Sequence, residues 1–273
     1  MWLFLQEENG EKLIDLNKVN ESLNLYIRPQ TLPVAVRMLI SKAEVTVKVR
    51  RPRCDMGMKM PVCQGIALSR RYGWKIMMGR EDISCPFGAV TLGFVPPLPK
   101  FLDGGMMVPH WLENREARSR LAQNLPRFEY GKYSFLISAP LTSANFEPQA
   151  IIIYGNPAQI MRLVQATVYQ TGEPVVSTSY GAGGCASYVS KTILMEQCQF
   201  ILSGAGDRIF GLTQDDEMCF SIPFSQIEDV LKGLEATHKA DMRYPITSFL
   251  RFKAELPQPY VELMTYLEGD RER

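Results

Sequence analysis

A chain of 273 residues is long enough to bury a full core, and 46% apolar with 22% charged residues is the composition of an ordinary globular protein. The formal net charge of +1 gives no electrostatic reason to expect nucleic acid or an acidic membrane as a partner. Two histidines against six cysteines leave little room for a histidine-rich metal site, so any metal here leans on sulfur.

The opening residues carry neither a basic flank nor a cleavage site, so no secretory signal is expected. The longest apolar runs, such as residues 150 to 154, fall far short of the roughly 18 residues of a membrane span. The expectation is a cytoplasmic protein whose thiols stay reduced.

In chain order, residues 11 to 27 have loosely helical apolar spacing and predict a first helix. Residues 32 to 40 predict a short strand, with Pro33 suited to an edge or first-residue position. Residues 41 to 60 are basic and irregular. Pro61 then opens a helix running to Tyr72 and closed by Gly73. A strand over 74 to 78, a turn at Cys85 and a short helix to Gly93 follow. Pro96, Pro97 and Pro99 break regular structure, and 103 to 107 read as a loop. Residues 111 to 123 predict a charged helix.

Strands are expected over 133 to 139 and 150 to 154. Asn156-Pro157 starts a helix, with Asn capping free amides and proline pre-set at the first position. Residues 175 to 179 read as a strand, and Gly181 to Gly184 as a turn into Cys185 and a helix. Strands over 199 to 202 and 218 to 222 come next. Ser225 with Glu228 predicts a capping box for a helix whose Ile227, Val230, Leu231 and Leu234 face the core. A last helix is expected over 260 to 267.

Alternating strands and helices predict an α/β (or α+β) architecture. The layout around Cys85 returns about a hundred residues later around Cys185, which points to a pseudo-symmetric unit of two similar halves, about 30 to 130 and 131 to 240. These would pack into a single domain over 1 to 273, with a helical tail over 241 to 273.

Cysteine carries the chemistry. No C-x-x-C occurs, which leaves zinc ribbons, thioredoxin-like sites and ferredoxin runs unsupported. Pro86 places the Cys85 sulfur at a helix N-terminus, where the dipole favours a thiolate, and Gly88 leaves room beside it. Cys185 follows Gly183 and Gly184, whose amides can hydrogen-bond the sulfides of a cluster. Facing each other, the two cysteines would hold a metal cluster of iron–sulfur type; as small residues behind tight turns they would simply be core. Cys63 sits in a helix and Cys54 in the loop before it, while Cys198 and Cys219 read as core. Glu81 and Asp82 read as turn caps, Asp215-Asp216-Glu217 as a solvated turn, and Ser203 to Arg208 as a tight turn without the third glycine or lysine of a nucleotide motif. No Ser/His/Asp set supports a hydrolase.

Leu32-Pro33-Val34-Ala35-Val36, Cys63-Gln64-Gly65-Ile66-Ala67, Glu81 to Ala89, Gly155 to Gln159, Gly184-Cys185-Ala186 and Asp216-Glu217-Met218 together resemble domain-of-unknown-function family 169, of ArCR type, frequent in archaea and anaerobic bacteria. The resemblance spans roughly residues 32 to 234. It implies cysteines at the positions of Cys63, Cys85 and Cys185; a further cysteine of some members is replaced here at Ser203-Gly204. Three thiolates imply a 4Fe–4S cluster with one iron open to a small molecule, or completed by Cys54. The expected partners are a small molecule or a redox partner protein, and further copies of the chain in a homo-oligomer. The alternatives are a metal-free binding module with the cysteines as core, and a thiol enzyme using Cys85 as nucleophile.

Overall fold

A computed structural model describes residues 5–8, 11–246 and 255–269. A short antiparallel hairpin, β1 (Leu5–Glu8) and β2 (Glu11–Ile14), precedes helix α1 (Leu16–Tyr26). The helix expected over 11 to 27 therefore starts later, where the Asp15 side chain accepts from the Asn17 and Lys18 amides. Next come β3 (Val34–Leu39), α2 (Pro52–Asp55), α3 (Val62–Tyr72), β4 (Ile76–Gly79), α4 (Pro86–Thr91), α5 (Pro99–Leu102) and α6 (Arg115–Asn124). The second half holds β5 (Phe135–Pro140), β6 (Ala150–Gly155), α7 (Pro157–Val168), a π-helix (Ala186–Lys191), α8 (Thr192–Met195), β7 (Gln199–Leu202), α9 (Ala205–Ile209), β8 (Met218–Pro223), α10 (Ile227–Lys239) and α11 (Gln258–Gly269).

Six strands form one antiparallel sheet in the order β4-β5-β3-β6-β8-β7, so the mixed α/β class holds. Read outward from the central β3–β6 pair, each side lays its strands in the same sequence: first, third, second. β3 is thus an interior strand. Pro33, expected at an edge or at the first residue of a strand, lies just before it, and its carbonyl accepts from the Leu141 amide.

Period-two alternation sends each strand's side chains to two covered faces. On one face, Val34, Val36, Met38, Ile152 and Tyr154 pack against α3, α4 and the π-helix. On the other, Ala35, Ile151, Ile153 and Phe220 meet α1, α7 and α10, with Leu23, Leu163 and Val230 fully buried. Each such side chain contributes about 1.5–3 kcal/mol.

Four other local expectations change. Residues 175 to 179 form no strand: Ser177 Oγ donates to the Phe200 carbonyl and Ser187 Oγ to the Thr178 carbonyl, so hydroxyls hold the segment where a ladder was expected. The Ser225/Glu228 capping box does not form, because a 3₁₀ turn at Phe224–Gln226 leads straight into α10 and makes Gln226 the cap. The charged helix starts at Arg115, where Asn114 accepts from the Ala117 amide. The sheet counterpart of β4 by order is β7, which follows Cys185, whereas β4 precedes Cys85. Among the described residues no helix is long and apolar enough to cross a membrane.

Candidate functional site

Three segments from distant parts of the chain meet over the first face of the sheet. The main chain at Met60 donates to Asp82 (2.9 Å) and accepts from Ser84 (3.2 Å), a bridge that lays the start of α3 beside the start of α4. Pro61 caps α3, Cys63 falls in its first turn, and Gly73 closes the far end at φ 73°, a left-handed position that suits glycine. Cys85 caps α4, with Pro86 at the first helical position. The turn between β4 and α4 is pinned by buried Asp82. Its carboxylate accepts from the Gly79 and Arg53 amides (both 2.9 Å) and from Arg51 Nε and Nη2 (3.2 and 2.5 Å). Asp82 is therefore a tie, as the turn-cap reading expected, and exposed Glu81 pairs with Arg51 at 2.6 Å.

Cys185 caps the π-helix and is 6% exposed. The wide π turn lets Thr192 Oγ1 reach back to the Ser187 carbonyl (3.1 Å), and Ser190 Oγ donates to the Thr91 carbonyl (3.0 Å), joining this helix to α4. Segments of π-helix concentrate at functional sites. Two glycines are required by close approach. A Cβ on Gly88 would stand 2.7 Å from Val62 and 3.9 Å from Cys185 Sγ; one on Gly184 would stand 2.3 Å from Asp207 Oδ2. Gly183, with φ 67°, faces Phe87.

These elements enclose a cavity of about 380 Å³ whose wall includes Cys63, Cys85, Cys185, Asp207, Tyr188 and Arg118. Phe87, Trp111 and Phe210 add an aromatic side. Asp207, from α9, is buried and accepts from Tyr188 Oη at 2.9 Å. Cys63 Sγ donates to the Gly206 carbonyl at 3.5 Å, and Thr91 Oγ1 lies 3.8 Å from Cys185 Sγ. Burial, reinforced by Asp207 and Cys85, pushes the Cys63 thiol up to about 12. Burial, with Cys85, Asp207 and Cys63, pushes Cys185 well above the ordinary range. Burial likewise raises the Asp207 carboxyl, against the lowering effect of Tyr188. Without a cation these thiols stay neutral; a bound metal reverses that logic by favouring thiolates.

The other cysteines lie elsewhere. Cys54 is exposed on α2 and outside this wall, Cys198 is buried beside Gln226 Oε1 (3.4 Å), and Cys219 packs inside β8. Asp207 and Arg118 escaped the sequence reading. The residues from 203 to 208 were expected as a plain turn, yet Gly204 caps α9 and its third residue, Asp207, enters the cavity.

Tetrahedral sulfurs at 2.3 Å from one zinc lie about 3.8 Å apart. Among the described residues no three His, Cys, Asp or Glu side chains are gathered closely enough to hold a metal ion. The three sulfurs share a wall of a roomy cavity. Thiolates are the ligand type that iron–sulfur clusters take.

The sequence profile of the DUF169 family, described as uncharacterised ArCR, matches residues 22–233. The chain is also similar to the uncharacterized protein MJ0308 of Methanocaldococcus jannaschii, with 23% identity over 236 residues, covering 84% of this chain and 93% of the relative. No solved structure matches. The family match covers more than three quarters of the chain, which therefore belongs to the DUF169 family.

Proposed function

We propose that the chain binds a 4Fe–4S cluster through Cys63, Cys85 and Cys185, leaving one iron free of protein thiolate. The observation that supports this reading is the selection of cysteines: the three that line one cavity come from positions 63, 85 and 185, while Cys54, Cys198 and Cys219 stay out of it. When bound, such a group supplies Lewis-acid or one-electron chemistry to a small molecule. The chain's own residues then have defined tasks. The Gly183 and Gly184 backbone lies open beside Cys185, where amides can donate to sulfides. Buried Phe87 supplies an apolar side, and the buried Tyr188–Asp207 hydrogen bond holds a proton in the wall. All six cysteines are unpaired, in keeping with a reducing, cytoplasmic setting, and the family resemblance is what suggests anaerobic-type metabolism.

The test is serine substitution at every cysteine, with iron and labile sulfide assayed after anaerobic purification. Cys63→Ser, Cys85→Ser and Cys185→Ser should each lose most of the bound iron, while Cys54→Ser and Cys198→Ser keep it. Full retention in Cys85→Ser would sink the assignment. A second reading, a metal-free pocket for a small ligand or partner, draws on the neutral state that burial imposes on Cys63 and Cys185. It predicts colourless wild-type protein and only packing losses of about 1–3 kcal/mol in the serine variants.

A further inference from the structure

Three arginines, Arg70, Arg118 and Arg162, are buried among the described residues. Arg70 meets the Glu217 carboxylate at 2.8 and 3.0 Å, and Arg162 donates to Gln165 Oε1 (2.8 Å) and Thr237 Oγ1 (2.9 Å). Arg118 is different. It is 2% exposed and lines the cavity, and its Nε and Nη1 are buried without any hydrogen-bond partner among the described residues. Its guanidinium carbon lies 5.3 Å from the Phe87 ring centre and 4.8 Å from that of Phe101, so ring faces take the place of an acid.

A guanidinium stays charged in a protein, and a buried charge calls for a counter-charge or hydrogen-bond acceptors. Burial alone moves Arg118, downward, with no neighbouring acid acting on it. The cavity's carboxylate, Asp207, is held by Tyr188 and feels the charge of Arg70. The side chain is also set in place before any ligand arrives. Asn114 caps α6, and Ser119 Oγ donates to the Leu102 carbonyl at 2.7 Å, binding α6 to α5. Beside it, Phe87 and the exposed Trp111 stack with centroids 6.3 Å apart at 20°, which gives the cavity an aromatic side.

We infer that this cavity takes a small molecule with a carboxylate at one end and a planar apolar body, the carboxylate being received by Arg118. A planar fork of N–H donors matches a carboxylate, and the aromatic wall matches the body. This names the class of small molecule for the site proposed above and rests on that reading for its chemistry, though the binding step itself needs no iron.

The experiment titrates the full chain, purified anaerobically, with 2-naphthoate and with neutral 2-naphthamide, with iron assayed on the same sample. Naphthoate should bind at least about tenfold more tightly than the amide, the scale of one charge-assisted hydrogen bond. Arg118→Met should abolish that preference, and Arg118→Lys should keep part of it. Equal affinities in the wild-type chain, no binding of either compound at millimolar concentration, or an unchanged preference in Arg118→Met would each overturn the inference. The wild-type comparison stands even if the methionine variant does not fold. A carboxylate preference in iron-free protein would keep this inference and remove the cluster; iron without the preference would do the reverse.

Discussion

Glu217 is the point where three donors converge on one buried carboxylate. Arg70 approaches it with both terminal nitrogens (2.8 and 3.0 Å), Arg71 adds a contact at 3.2 Å, and the Gln214 amide a fourth at 2.9 Å. Arg70 also lies over the Tyr154 ring at 4.0 Å and reaches the Gly211 and Leu212 carbonyls, so the far end of α3 is fixed to the segment leading into β8. Burial pushes the Glu217 carboxyl up, but Arg70, the Gln214 amide and Arg71 outweigh it and hold the group below its ordinary value. A depressed carboxyl adds stability above its unfolded value of 4.5, and that stability is lost as pH falls through the lower folded value. Glu217→Gln should cost about 3–5 kcal/mol at neutral pH, because Arg70 is left buried and unanswered. The part of the acid-side fall that belongs to this group should vanish in the variant. Urea unfolding from pH 7 to pH 3 reads both effects, and parallel pH profiles for the two proteins would refute the role. Sequence reading placed Glu217 in a solvated turn with Asp215 and Asp216. Those two are exposed and Glu217 is not, and only its distant arginine partners distinguish it.

Elements whose ends are written locally were legible in the sequence. The proline start and glycine stop of α3, the Cys85-Pro86 entry to α4, and the Asn156-Pro157 start of α7 all depend on neighbours in sequence. The failures lie where a distant element decides. Gln226, the cap of α10, spends its side chain on the Glu196 carbonyl and on Cys198, contacts no local motif announces. Residues 175 to 179 have strand-like composition, yet the neighbouring β7 takes its ladder from β8. Packing can even reverse a propensity. Gly233 lies within α10, where alanine normally favours a helix. A Cβ there would stand 2.1 Å from the Ala166 carbonyl oxygen of α7. Gly233→Ala should therefore destabilise the protein by about 1–3 kcal/mol through overpacking of this crossing, despite its helix propensity. A raised melting temperature in that variant would refute the close contact.

At the scale of the whole molecule, alternating strands and helices pointed to an α/β (or α+β) architecture, and the antiparallel six-stranded sheet with helices on each side is of that mixed class. Strand order was beyond reach, because β3 pairs with strands a hundred residues further on. The same separation governs the site. Local chemistry identified Cys85 and Cys185, and family resemblance added Cys63; the fold then puts all three on one cavity wall. Arg118 and Asp207 join them from α6 and α9, short segments with no motif of their own. Whether these sulfurs hold a cluster is decided by the iron and acid-labile sulfide content of the wild-type chain after strictly anaerobic purification, with an electronic spectrum. The account predicts about four of each per chain and a broad absorption band that fades in air. Neither iron nor sulfide, even after reconstitution, would contradict it and return the three cysteines to the wall of a metal-free pocket.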